Sequence, residues 1–177
     1  FPLAAITGFK YAIGFVDRKT KMAAVYYMRE KSAEEVRDCI QTYVADHLHM
    51  MPDGRIKKFV SDNGGEFTAR TVEELLNTLM TRRALTVPYT PQRNGLVERF
   101  GYTLVRHTRI VLAESGHTQA LWPFAMTHVT LIHNSLPTRS LSPPMSPEEA
   151  ATGKAPNLNK RFGGKVWGCD AIIPLRE

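Results

Sequence analysis

The sequence predicts an α/β fold, a mixed sheet flanked by helices. Three observations carry that expectation. Strand-like and helix-like periodicities alternate along the chain, a short polar turn joins the first two apolar runs, and the later strands are separated by helical segments long enough to cross over. With 177 residues the chain is most simply one domain, large enough to bury a real core.

Residues 9–16 alternate and are rich in aromatics, residues 17–21 read as a polar turn, and residues 22–28 read as the returning strand of a hairpin. Ser32 is placed as an N-cap with Glu35 three residues on, and Ala33, Val36, Ile40, Tyr43 and Val44 keep helical spacing to His47. Pro52-Asp53-Gly54 breaks the chain, and residues 55–61 rise as a short apolar strand. Residues 71–80 have helical spacing, 85–87 form a short strand, and a Pro-rich loop over 88–95 leads into another helix. Residues 121–134 read as a mostly buried helix, with Trp122, Phe124, Met126, Val129 and Ile132 assigned to the core. Prolines at 137, 143, 144 and 147 mark a connector without packed structure of its own, followed by a short helix near 147–152 and a terminal strand over 165–174. The expected organisation is a core over residues 1–135 and a following connector, helix and strand over 136–177.

The chain carries 23 Lys and Arg against 17 Asp and Glu, a net charge of +6. That balance suits a polyanionic partner and is equally compatible with a solubilising role. Cys39 and Cys169 stand alone, with no zinc-ligand spacing around them, and His47 and His49 read as a solvated helix end. No signal peptide or apolar run of spanning length occurs, so an intracellular protein that does not enter a membrane is expected.

Two acidic residues carry the chemistry. Asp62 closes the apolar strand in Ser61-Asp62-Asn63-Gly64-Gly65-Glu66, and Glu98 follows the loop in Pro91-Gln92-Arg93-Asn94-Gly95-Leu96-Val97-Glu98-Arg99. One carboxylate at a strand end and one on a helix can converge on divalent metal ions that serve phosphoryl transfer. Each also has a plainer explanation: Asp-Asn-Gly is a common turn, and Glu98 belongs equally well to a solvated helix with ordinary ion pairs. Projected at about 100° per residue, Val97, Phe100, Leu104 and Val111 share one face, and Glu98, Arg99, Tyr102, Arg106 and Arg109 share the opposite one. That basic face suits phosphate contacts.

The Asp-Asn-Gly-Gly-Glu-Phe block, the Pro-Tyr-Thr-Pro-Gln-x-Asn-Gly-x-x-Glu-Arg block and their spacing resemble the catalytic core of retroelement integrases of the copia-type retrotransposon branch. Leu136-Pro137-Thr138, Ser146-Pro147-Glu148-Glu149-Ala150 and Val166-Trp167-Gly168-Cys169 extend the resemblance along the chain. It implies a ribonuclease H-like fold, Mg2+ or Mn2+ held by Asp62 and Glu98, and joining of retroelement DNA ends to target DNA. It further implies contact of the DNA end with Gln92, Arg93 and Asn94, a homo-oligomer in the parent polyprotein, and nuclear or cytoplasmic action.

Two departures qualify the expectation. Where the branch usually has Asn three residues after the Glu, this chain has Gly101, at a cost of roughly 1 kcal/mol in a helix relative to alanine. The family's first catalytic Asp lies on a strand before the hairpin, and Phe1-Pro2-Leu3 resembles the residues just after it. The chain is therefore expected to lack that strand and to be inactive as given. Asp17 sits at the hairpin turn and reads as a turn cap rather than a substitute, and Asp38, Asp46 and Asp53 are weaker candidates. The rival reading is a non-catalytic nucleic-acid-binding or assembly remnant of a retroelement.

Overall fold

The computed structural model describes residues 4–51, 54–85 and 91–169, with residues 91–94 described by their backbone alone. Strands β1 (Tyr11–Val16) and β2 (Ala23–Met28) form the expected antiparallel hairpin, with Tyr11 opposite Met28 and Val16 opposite Ala23. Asp17 builds its turn, accepting hydrogen bonds from the Thr20 amide at 2.8 Å and the Thr20 hydroxyl at 2.6 Å. Helix α1 (Ala33–His47) begins at Ser32, whose hydroxyl oxygen accepts the Glu35 amide at 3.3 Å. The reciprocal half of a capping box is absent. Glu35 instead accepts the amides of Arg29 and Glu30 at 2.8 and 2.9 Å, fastening the link between hairpin and helix.

β3 (Lys58–Ser61) and β4 (Arg82–Leu85) pair in parallel through a crossover that contains α2 (Gly65–Thr68) and α3 (Arg70–Thr78). The chain continues through α4 (Pro91–Ser115), α5 (Trp122–Ser135), α6 (Pro147–Thr152) and α7 (Leu158–Phe162). Antiparallel and parallel pairing are both present, but among the described residues they form two separate two-stranded sheets.

The hairpin's alternation sorts its side chains between two cores. Ile13, Phe15, Tyr26 and Met28 meet Val36, Ile40, Phe59, Val72 and Leu76 on the α1 and α3 side. Ala23, Val25 and Tyr27 meet Phe100, Leu104, Trp122 and Met126 on the α4 and α5 side. Helix α5 is tied to the strand as well as packed on it: the Asn134 carboxamide accepts the Ala23 amide at 2.9 Å and donates to the Ala23 carbonyl at 2.7 Å. Gly14 lets α4 approach β1, because a Cβ at that position would stand 3.3 Å from the Phe100 ring.

Several local expectations change. Phe124 is 51% exposed, because the buried stripe of α5 runs through Trp122, Ala125, Met126 and Val129 and leaves it on the far side. Residues 86–90, which hold the end of the expected strand 85–87 and the start of the Pro-rich loop, lie outside the described residues. The rest of that loop, 91–95, is already helix: Pro91 opens α4, where a missing amide costs nothing.

The connector is not featureless. Thr138 bridges Met145, and Ser146 caps α6 by accepting the Glu149 amide at 3.1 Å. Of the expected strand 165–174, residues 165–169 form turns, closed by Lys165 to Phe162 at 2.9 Å and Cys169 to Val166 at 3.2 Å, while 170–174 lie outside the described residues. Helix α7, unforeseen, starts at an Asn157 cap and ends at Gly163 with φ of 55°. The Arg161 guanidinium then grips the Glu148 carboxylate with both terminal nitrogens and donates to the Ser135 hydroxyl at 2.8 Å.

His133 and His128 are both held below the ordinary histidine range, in each case by burial; at His133 the backbone of Lys21 opposes the shift. A histidine that resists protonation only when folded contributes stability above its unfolded pKa of about 6.5 and loses it as pH falls below that value. Stability measured by denaturant titration is expected to decline between about pH 6.5 and 5, before most carboxylates titrate. His133→Gln should flatten that window, and an unchanged slope in the variant would refute the assignment to His133.

Candidate functional site

The β3 strand ends at Ser61, and Asp62 follows at once, exposed. One of its oxygens accepts the Gly64 amide at 3.1 Å, so Asp62 does form the turn that its sequence suggests. A carboxylate has roughly four lone-pair positions, and this bond leaves capacity for a cation. A Cβ at Gly64 would lie 2.9 Å from the Glu66 carboxylate, so that flexible side chain would have to shift to admit one. Glu66 folds back to an ion pair with Lys31 at 2.9 Å, and that bond is the first cause holding its carboxyl below the usual range. Lys31 is pushed up in turn, by Glu66 first and with contributions from Asp62 and Tyr11.

Glu98 lies on α4, exposed, as do Arg99, Arg106 and Arg109. The opposite face of that helix is buried at intervals of four, through Phe100, Leu104, Thr108 and Leu112. The Thr108 hydroxyl is accommodated there by donating to the Leu104 carbonyl at 2.7 Å. Tyr102 is 72% exposed on the arginine face, whereas Val97, expected on the packed face, is 41% exposed at the mouth of a cavity.

Asp62 and Glu98 both line that cavity, of about 880 Å³, with β1 on one side and β3 on the other. Gln92, Arg93 and Asn94 fall at the start of α4, and their side chains lie outside the described residues. Asp17, though it also lines the cavity, spends its carboxylate on Thr20, as a turn cap does. Asp38 pairs with Arg37, Asp46 accepts the Tyr26 hydroxyl at 2.8 Å, and Asp53 lies outside the described residues. Cys39 is buried against Val36 and Ile40, and burial pushes its thiol up to about 11, which makes it an inert core residue. His47 stacks on Tyr43 at 4.6 Å and bonds the Tyr43 carbonyl through Nδ1. Among the described residues no group of three or more His, Cys, Asp and Glu could hold a metal ion.

One set of functional candidates was not read from the sequence. Lys19, Arg55 and Lys58 line the far part of the same cavity, and the pairing of β3 with β4 sets Arg82 directly opposite Lys58. The signal, two basic runs and a basic strand start, is visible in the chain, but their convergence depends on long-range pairing.

This mixed α/β arrangement, with a hairpin and a parallel strand pair between helices, is that of an integrase catalytic core, a ribonuclease H-like fold. The chain belongs to the integrase core domain family, whose model matches residues 1–91. Its relatives include copia-type retrotransposon polyproteins. It is 32% identical over 171 residues to the retrovirus-related Pol polyprotein from transposon TNT 1-94 of Nicotiana tabacum, covering 96% of this chain and 12% of that protein. Identity to the Pol polyprotein from transposon RE1 of Arabidopsis thaliana is 30% over 175 residues, 99% of this chain and 11% of that protein. The chain thus spans about an eighth or less of these relatives. The fold is shared with a chain of the simian T-cell lymphotropic virus intasome in complex with a PP2A regulatory subunit (TM-score 0.68, 15% identity, 93% of this chain and 54% of that one). It is shared also with the catalytic core of bovine immunodeficiency virus integrase (TM-score 0.61, 20% identity, 85% and 87%).

Proposed function

We propose that residues 1–177 form the greater part of a retroelement integrase core that, in its parent polyprotein, joins retroelement DNA ends to target DNA. The observation that carries this reading is the opening of Asp62 and Glu98 onto one cavity. Exposed carboxylates are the oxygen donors that Mg2+ or Mn2+ prefers, so the pair fits such an ion in kind, and Asp62 and Glu98 would hold it. The metal would supply charge stabilisation to the attacking and leaving oxygens at phosphorus. Arg99, Arg106 and Arg109 hold phosphates beside Glu98, and Gln92, Arg93 and Asn94 receive the DNA end. Contacts of this type position the backbone without reading bases, so target preference is low.

Two carboxylates fall one short of the three these enzymes use. Consecutive residues of β1 (13–16) and of β3 (58–61) line the cavity, whereas a sheet face would show alternate ones, so the cavity runs along the open strand edges. β1 gives its other edge to β2, and β3 gives its other edge to β4. This supports a slot for a further strand bearing the third acid, supplied by polypeptide outside residues 1–177. As given, the chain should bind divalent metal weakly and carry out no strand transfer. The same shortfall favours a second reading, a nucleic-acid-binding or assembly remnant without catalysis.

The test is a DNA-binding titration across a salt series. Replacing Arg99 and Arg106 with Ala should flatten log K against log salt by roughly one unit per lost contact and leave the fold intact. Unchanged affinity and slope would refute the DNA face. Metal-dependent strand transfer by residues 1–177 would refute the assignment of the missing acid and the non-catalytic reading together.

A further inference from the structure

We propose that the end of the strands remote from Asp62 carries a second nucleic-acid contact, in which Lys19, Arg55, Lys58 and Arg82 engage the phosphate backbone. It rests on nucleic acid being the partner and adds a surface that the carboxylate site does not use.

The strand directions put these cations together. The ion pair of Lys31 with Glu66 at 2.9 Å ties the end of β2, which pairs with the start of β1, to the turn that follows β3, so the start of β1 lies beside the end of β3. At the other end of β1, Asp17 acts on Tyr43, whose ring packs on Phe15 at 4.9 Å and stacks on His47 at the close of α1. β1 therefore runs opposite to β3, and the hairpin turn holding Lys19 falls where Arg55 and Lys58 lead into β3. All three line the cavity there. Arg82 joins them through the ladder, its amide donating to the Lys57 carbonyl at 3.1 Å. Four residue steps, about 13 Å of extended strand, separate Lys58 from Asp62.

Among the described residues these charges meet no ion-pair partner. Lys58 and Arg82 stand opposite each other in register, a like-charge pairing that costs stability in a sheet. Asp17 and Asp46, the acids near this end, accept from the neutral donors Thr20 and Tyr26 and form no ion pair with these cations among the described residues. Among the described residues none of the four cationic side chains has an ion-pair or hydrogen-bond partner. Four exposed cations spread over a turn, a strand approach and two strands suit a repeating phosphodiester chain better than a single small anion.

The experiment compares residues 1–177 with Lys58→Ala/Arg82→Ala and, separately, Arg99→Ala/Arg106→Ala, binding a mixed-sequence DNA duplex between 50 and 200 mM salt. Removing the first pair should flatten the salt slope by about 1.8 units and lower affinity at 50 mM on the order of tenfold or more. The melting temperature without DNA should hold or rise, because a like-charge pair is gone. If it falls, Lys19→Ala/Arg55→Ala, which leaves the ladder alone, must show the same loss of slope or the proposal fails. An unchanged slope for the strand variant, with the slope of the helix variant reduced, overturns this second contact and leaves the proposed function standing. Unchanged slopes for both overturn the two together. Polyglutamate of equal charge binding as tightly as DNA, with the same loss in the strand variant, would assign the surface to an acidic protein and overturn the nucleic-acid assignment.

Discussion

Trp122→Ala is expected to cost about 3–5 kcal/mol, the range for deleting a large aromatic from a packed core. Trp122 is 1% exposed, meets the Tyr27 ring edge-on at 5.4 Å, and sits among Phe100, Leu104, Met126 and Val129. The Tyr27 hydroxyl donates to the Pro123 carbonyl at 2.6 Å, which holds the backbone beside the cavity in place and limits its collapse. For a chain of this size a loss of that order lowers the melting temperature on the order of 10 °C. A thermal melt showing a change within about 1 kcal/mol of wild type would refute the view that α5 anchors the hairpin by packing.

Asn134→Ala tests the polar half of the same anchor, with an expected loss of about 2–5 kcal/mol. Asn134 is 6% exposed, and its carboxamide satisfies both backbone groups of Ala23, itself 2% exposed. Truncation orphans a buried donor and a buried acceptor at about 1–3 kcal/mol each. Asn134→Gln moves the amide by a methylene and should rescue little, because both bonds depend on one in-plane geometry. Denaturant unfolding of the two variants gives the comparison. Wild-type stability in Asn134→Ala would mean that water replaces the carboxamide, and would remove its role in holding the start of β2.

The elements that local chemistry determines were legible in the chain. Ser32 and Glu35 mark the start of α1, Ser146 with Pro147 marks α6, and the alternation of 9–16 and 22–28 gives the hairpin. Ser32 does cap its helix, yet the partners of Glu35 are Arg29 and Glu30, because a carboxylate takes the nearest unsatisfied amides that the tertiary path offers. Phe124 was misassigned for a related reason. α5 is apolar on more than one face, so periodicity alone does not say which face meets β2. At the site, the motif blocks locate Asp62 and Glu98, and helical projection locates the arginine face of α4. The separation of the two sheets and the Lys58 to Arg82 pairing follow from long-range register, which one strand's own pattern does not encode.

Ser135 and its neighbour Asn134 occupy the same turn of α5 and face different clients. Asn134 grips β2, and Ser135 receives Arg161, which also locks Glu148 of α6. Arg161 thus joins α7 and α6 to the last turn of α5, and Asn134 carries that turn to the first residue of β2. The hairpin that borders the cavity is thereby coupled, through two adjacent side chains of α5, to the helices that follow the core.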